Sequence, residues 1–203
     1  MSKPLVLIQA PVETRSGYGS HSRDIVKSLI RSDKYDVNII GINWGDCPMN
    51  ALDKDNPEDV KILDRILKKP ELPRQPDIYI QVTVPNEFQP MGKFNIGITA
   101  GIETTLSSPE WIQGLNRMDL NIVPSEHSKR VFENSKFTQK DQNGNVVSEL
   151  RCTKPIEVLL EGADTDIYKK TDDIPSELSK TLKGVDTDFN FLYVGHWLQG
   201  KLG

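Results

Sequence analysis

The feature that most constrains this chain is a rhythm. Short apolar runs recur along it, separated by stretches whose apolar residues fall at helical spacing. Residues 4–9 (PLVLIQ) are apolar almost throughout, as a strand covered on both faces must be. Residues 21–31 then place Ile25, Leu29 and Ile30 on one helical stripe, with Val26 alongside. A second strand is expected at 35–42 (YDVNIIGI), followed by a Gly-, Asp-, Pro- and Asn-rich loop over 43–56. A helix starts at Pro57, with Asn56 as its cap and Val60, Leu63 and Leu67 on one face. Residues 77–82 (DIYIQV), 94–99 (FNIGIT), 120–123 (LNIV) and 156–160 (IEVLL) supply the third to sixth strands. Helices over 109–117 and 125–134 open on Ser108 and Ser125. The QNGN within 136–149 signals a hairpin, read as an insertion at 136–150. Residues 174–183 are a short polar helix or linker, and 189–194 (FNFLYV) a last strand before GHWLQGKLG.

Strands separated by helices imply βαβ units. The expected fold class is therefore α/β: a doubly wound, mainly parallel sheet with helices on both faces. Such sheets bind ligands outside the carboxyl ends of their strands. The loops to inspect follow strands one, four, five and six.

Composition removes several classes of function. A net charge of −4 offers no basic field for a nucleic-acid backbone, so no nucleic-acid partner is expected. No apolar run approaches the roughly 20 residues that span a bilayer, so no transmembrane segment is expected. The opening MSKPLVLIQAP is too short for a signal-peptide core with flanks and reads as a buried strand. Cys47 and Cys152 stand far apart, in no metal-like spacing, and read as free thiols of a cytoplasmic protein.

Four loops carry candidate chemistry. In the first, Gly17 and Gly19 free the backbone for close approach, beside a helix N-terminus suited to an anion or a sugar hydroxyl. Tight-turn chemistry explains the same glycines. Position 22 is Ser, so this is no G-x-G-x-x-G, and a nicotinamide dehydrogenase is disfavoured. His21 and Arg23 follow, placed for the cleft or for a solvated helix face. In the fourth loop, Glu103, a candidate catalytic residue, lies between a glycine and the hydroxyls of Thr104 and Thr105, groups that suit sugar recognition. The alternative is a turn cap, or a pair with Arg23 or Arg15. Trp111 suits stacking on a sugar, but its spacing favours the core. After strand five, Ser125 caps a helix and Glu126 complements its dipole; His127 is a candidate acid or base without an evident partner. After strand six, Glu161-Gly-Ala-Asp-Thr-Asp-Ile-Tyr168 reads mainly as an Asx-capped turn.

Taken together and in order, these loops resemble the GT-B glycosyltransferases of family 4, a retaining group. SGYGSHSRDI resembles the family's glycine loop near the donor phosphates. GIETTLSSPEWIQGLNRMDLNIVPSEHSKRVF is similar to the family's E-T…P…W…L-N…D…V-P-S…V-F stretch. LLEGADTDIY resembles the N-G-V-D…F-type motif that closes the N-terminal domain, and FLYVGHWLQGKLG the opening V-G-R…K-G of the second. The resemblance implies a Rossmann-like domain over 1–185 and the linker and first strand of a donor-binding domain over 186–203.

By that resemblance, Gly17, Tyr18 and Gly19 lie near the donor's diphosphate, and Lys201 matches a phosphate-contacting lysine. Glu103, Thr104, His21, Arg23 and Ser125 belong to the acceptor cleft. His196 stands where the family has arginine, and lacks its guanidinium fork. Donor and acceptor are expected to be a nucleotide sugar and a sugar or glycoconjugate, with no cofactor and no metal. Lacking the second domain, the chain is expected to bind donor poorly and to turn over little. The strand over 189–194 is expected to be orphaned: disordered, added to its own sheet, or paired between molecules. A non-catalytic nucleotide- or partner-binding module is the alternative function.

Overall fold

A computed structural model describes residues 3–69, 71–171, 173–187 and 189–191. They fall into two units, one ending at Glu161 and the other beginning at Gly162. The boundary expected at 185 lies inside the second unit, whose described residues form one helix, α5 (Ser176–Leu182) once the elements are numbered along the chain.

The first unit opens with β1 (Leu5–Ala10), α1 (Gly17–Ser32), β2 (Asp36–Gly41), α2 (Pro57–Leu63) and β3 (Ile78–Val82). It continues with β4 (Phe94–Ile98), α3 (Pro109–Arg117), β5 (Leu120–Val123) and α4 (Glu126–Asn134). A hairpin of β6 (Lys136–Lys140) and β7 (Val146–Arg151) precedes β8 (Ile156–Val158). Six strands form one sheet in the order β2-β1-β3-β4-β5-β8, every pair parallel. The fold is therefore the α/β, Rossmann-like doubly wound arrangement expected. The order reverses at β1, whose neighbours are β2 on one side and β3 on the other. A crevice opens at such a switch point, outside the carboxyl ends of β1 and β3.

The apolar strands split by side-chain alternation into two cores. Val6, Ile8, Ile39, Ile80 and Val82 face one side, under Val26 of α1 and Ile62 of α2. Leu7, Tyr79, Val123 and Ile156 face the other, under Ile112 and Leu115 of α3 and Phe132 of α4. Trp111 joins this second core at its margin, 6.2 Å from the Phe132 ring. A 3-10 turn at Pro85–Glu87 supports α3 from below. A side chain at Gly114 would collide with the Pro85 carbonyl, and Arg117 donates to the carbonyls of Phe88 (2.6 Å) and Asn86 (2.8 Å).

Several elements differ from the sequence expectation. Helix α1 begins at Gly17 rather than His21, because Ser16 caps it by accepting from the Gly19 amide at 2.9 Å. Helix α2 stops at Leu63, so Leu67 does not share its face. The chain there turns to the free edge of β2: Ile39 donates to the Arg65 carbonyl (2.9 Å) and accepts from Leu67 (2.8 Å). Ile66 stays with the first core and Leu67 passes to the second, a strand-like alternation that replaces a further helical turn. Strand β8 ends at Val158, and Leu160 is exposed. The hairpin stands apart from the main sheet, with Phe137 and Leu150 packed on the second core. The strand expected over 189–194 runs into residues outside those described, and His196 and Lys201 lie there too.

At the amino end of the sheet, two aspartates tie strands together. Asp77 accepts from the Leu5 amide (2.9 Å), Arg74 (2.6 Å) and Lys93 (2.8 Å). Asp119 accepts from the Asn95 amide (2.8 Å) and side chain (3.0 Å). Among the described residues, no helix is long and apolar enough to cross a membrane.

Candidate functional site

The site begins with the turn that leaves β1. Thr14 is fully buried, and its amide and hydroxyl both donate to the Pro11 carbonyl, at 3.1 and 2.9 Å. Its hydroxyl also meets that of Ser16 at 2.7 Å. This turn sets the N-terminus of α1 against the crevice. Arg15 fastens it to the loop after β2, donating from its amide to Pro48 (2.9 Å) and from its guanidinium to the Asn50 side chain (2.8 Å).

Tyr18 is the centre of the arrangement. Its ring stacks on Trp44 with centroids 4.0 Å apart and planes 23° from parallel. Its hydroxyl accepts from the Ala100 amide (3.0 Å) and shares a hydrogen bond with the Thr99 hydroxyl (3.0 Å). One side chain thus joins the loops after β1, β2 and β4. Burial pushes the phenol's pKa up, and the charges of Glu161 and Glu103 push the same way, against the hydrogen bonds to Thr99 and Ala100. The phenol stays protonated at neutral pH.

Around it lies a cavity of about 160 Å³, lined by Gly17, Tyr18, His21, Thr99 and Glu161, with Val82 and Ala100 as its apolar surface. These residues come from the carboxyl-end loops of β1, β3, β4 and β8. Nδ1 of His21 stands 3.7 Å from a carboxylate oxygen of Glu161. The loop after β4 is held by Gly101, whose φ of +87° suits glycine and where a Cβ would strike the Ser128 hydroxyl. Ser128 in turn donates to the Ala100 carbonyl at 3.3 Å.

Of the residues singled out in the sequence, Gly17, Tyr18 and His21 line this cavity. Gly19 does not. Its amide is taken by Ser16, and a side chain there would collide with the Thr14 carbonyl, so this glycine serves packing. Arg23 donates to the carbonyls of Val12 and Thr14, both at 2.9 Å, and braces the turn from behind. Glu103 is exposed and does not line the cavity, though it lies close enough for its charge to act on Tyr18. Thr104 makes a local bond to the Leu106 carbonyl (3.0 Å). Ser125 caps α4 through the Ser128 amide (3.1 Å), and His127 is exposed on that helix.

Trp44, Thr99 and Glu161 were not among the sequence candidates. Thr99 ends an expected strand, and Trp44 is a lone aromatic in a polar loop. Glu161 stands among carboxylates that an Asx turn already explained. Only the glutamate carried a usable signal, a carboxylate beside a glycine at a strand end. Among the described residues, no group of three or more His, Cys, Asp or Glu side chains is placed to hold a metal ion.

No family model matches the chain, and no curated protein and no solved structure matches it.

Proposed function

We propose that this chain is the acceptor-side, Rossmann-like half of a retaining GT-B glycosyltransferase, which moves a sugar from a nucleotide-sugar donor to a sugar or glycoconjugate. One observation carries the reading. The loops after β1, β4 and β8 converge on a single cavity outside the carboxyl ends of the sheet. These are the same segments that carry the resemblance, and the ligand position suits a doubly wound sheet.

The chemistry available there is recognition of hydroxyl groups. Glu161 accepts, the Gly17 and Tyr18 amides of the first helical turn donate, and the hydrogen-bonded pair of Thr99 and Tyr18 hydroxyls has one further proton to give. The stabilisation of the departing nucleotide phosphates falls to Lys201 and to the donor-binding domain that the resemblance implies.

The test is a paired calorimetric titration of nucleoside diphosphates and nucleotide sugars. One arm uses the 203-residue chain; the other uses the chain extended through a donor-binding domain. Binding and sugar transfer by the extended protein alone support the proposal and identify the donor. Tight nucleotide binding by the short chain, without transfer by either, marks a binding module instead.

A further inference from the structure

We infer that the cavity beside Tyr18 takes an uncharged, hydroxyl-bearing ring, and that Glu161 sets this choice by turning anionic groups away. The sugar class rests on the glycosyltransferase reading; the charge selection rests on the cavity's own geometry.

Size comes first. The cavity measures about 160 Å³. That suits part of one sugar ring. A nucleoside diphosphate calls for the larger clefts of ~300 Å³ and upward in which extended ligands bury most of their surface.

Charge decides the rest. Neither lysine nor arginine is among the residues lining the cavity. The nearest arginines in sequence are engaged: Arg15 on Asn50, and Arg23 on the carbonyls of Val12 and Thr14. Among the described residues, the one basic group in the wall is His21, which faces Glu161 at 3.7 Å. Of the first-turn amides, that of Gly19 is taken by Ser16. A phosphate entering here meets the Glu161 carboxylate, and among the described residues no guanidinium or ammonium lines the cavity to offset it. A ring hydroxyl meets an acceptor in Glu161 and donors in the Gly17 amide and in whichever of the mutually bonded Thr99 and Tyr18 hydroxyls keeps its proton free. Its C–H face meets Val82 and Ala100. The Tyr18 hydroxyl is accordingly assigned to the acceptor, away from the donor's diphosphate.

The test uses the full chain and three matched pairs of sugars: glucose and glucuronate, galactose and galacturonate, mannose and mannuronate. The readout is the amide resonances of Gly17 and Ala100 in a nitrogen–proton correlation spectrum. At least one neutral sugar is expected to shift both resonances, with its uronate binding at least about tenfold more weakly, a difference of ~1.4 kcal/mol. Glu161→Gln keeps the side chain's shape and is expected to bring that uronate to within about threefold of the neutral sugar, or ~0.65 kcal/mol. Glu126→Gln removes an exposed carboxylate on α4, outside the cavity, and is expected to leave the discrimination unchanged.

Three results overturn the inference: no neutral sugar shifts these resonances, uronates or nucleoside diphosphates shift them as strongly, or Glu161→Gln changes nothing. Discrimination without sugar transfer by the extended protein would leave this inference standing and sink the proposed function.

Discussion

Gly17 and Gly19 sit two positions apart in the first turn of one helix, and a side chain at each meets opposite surroundings. Open space surrounds an added Cβ at Gly17, whereas at Gly19 it runs into the Thr14 carbonyl. Gly17→Ala is therefore expected to be neutral or to stabilise by up to ~1 kcal/mol, through helix propensity and a less flexible unfolded chain. Gly19→Ala is expected to cost about 1–3 kcal/mol through overpacking. Urea denaturation of both variants checks the pair. Gly101→Ala combines a left-handed backbone with a collision at Ser128, and about 1–3 kcal/mol of local strain is expected. Because Ala100 holds the Tyr18 hydroxyl, that variant is also expected to red-shift Trp44 emission. The sequence marked these glycines as turn residues, since glycine in a polar loop is a local signal. Which of them packs and which lies open depends on Thr14, Pro11 and Ser128, and their positions follow only from the folded loops. The same holds for Arg23, whose partners are backbone carbonyls that bear no mark in the sequence.

Elements were most legible where their punctuation was local. Asn56, Ser108 and Ser125 each cap the helix that follows, through an oxygen accepting from an amide two or three residues on. The end of α2 was hidden, because Ile66 and Leu67 answer to Ile39 across the edge of β2 rather than to their neighbours in the chain. The seat of α3 was hidden for a similar reason. Its Gly114 lies backbone to backbone against the turn at Pro85, and nothing near Gly114 in sequence reveals that contact. Gly114→Ala is expected to lift α3 from this seat and cost about 3 kcal/mol, near the upper end for overpacking. A lowered midpoint in denaturant, with far-ultraviolet circular dichroism retained, is the expected observation.

For the whole molecule, alternation of strand and helix disclosed the doubly wound class. It left open the strand order, which depends on the direction each crossover takes. That order places Asp77 and Asp119 at the amino end of the sheet. Lys93, the Leu5 amide and Arg74 hold the Asp77 carboxyl below its usual range, and the Asn95 side chain and amide do the same for Asp119. A depressed carboxylate contributes stability that is complete above its unfolded value, ~3.9 for aspartate, and is lost as pH falls through the folded value. The urea midpoint is therefore expected to hold from neutral pH down to about pH 5 and then to fall steeply below about pH 4. Asp77→Asn is expected to lower the neutral midpoint and flatten the acid limb. An unchanged acid limb in that variant would remove Asp77 from this account.

The bond from the Tyr18 hydroxyl to Ala100 also carries a statement about time. Strand β3 lies between β1 and β4 in the sheet, so Tyr18 and Ala100 meet in their native places only once β3 has inserted and β4 has docked. Contacts between segments so distant in sequence form slowly, after the local helices have had ample opportunity to appear. During synthesis, the cavity cannot exist until residue 100 has left the ribosome, and it is completed only with Glu161. The cavity is thus absent from a nascent or partly folded chain, and any binding there would report that the sheet has formed.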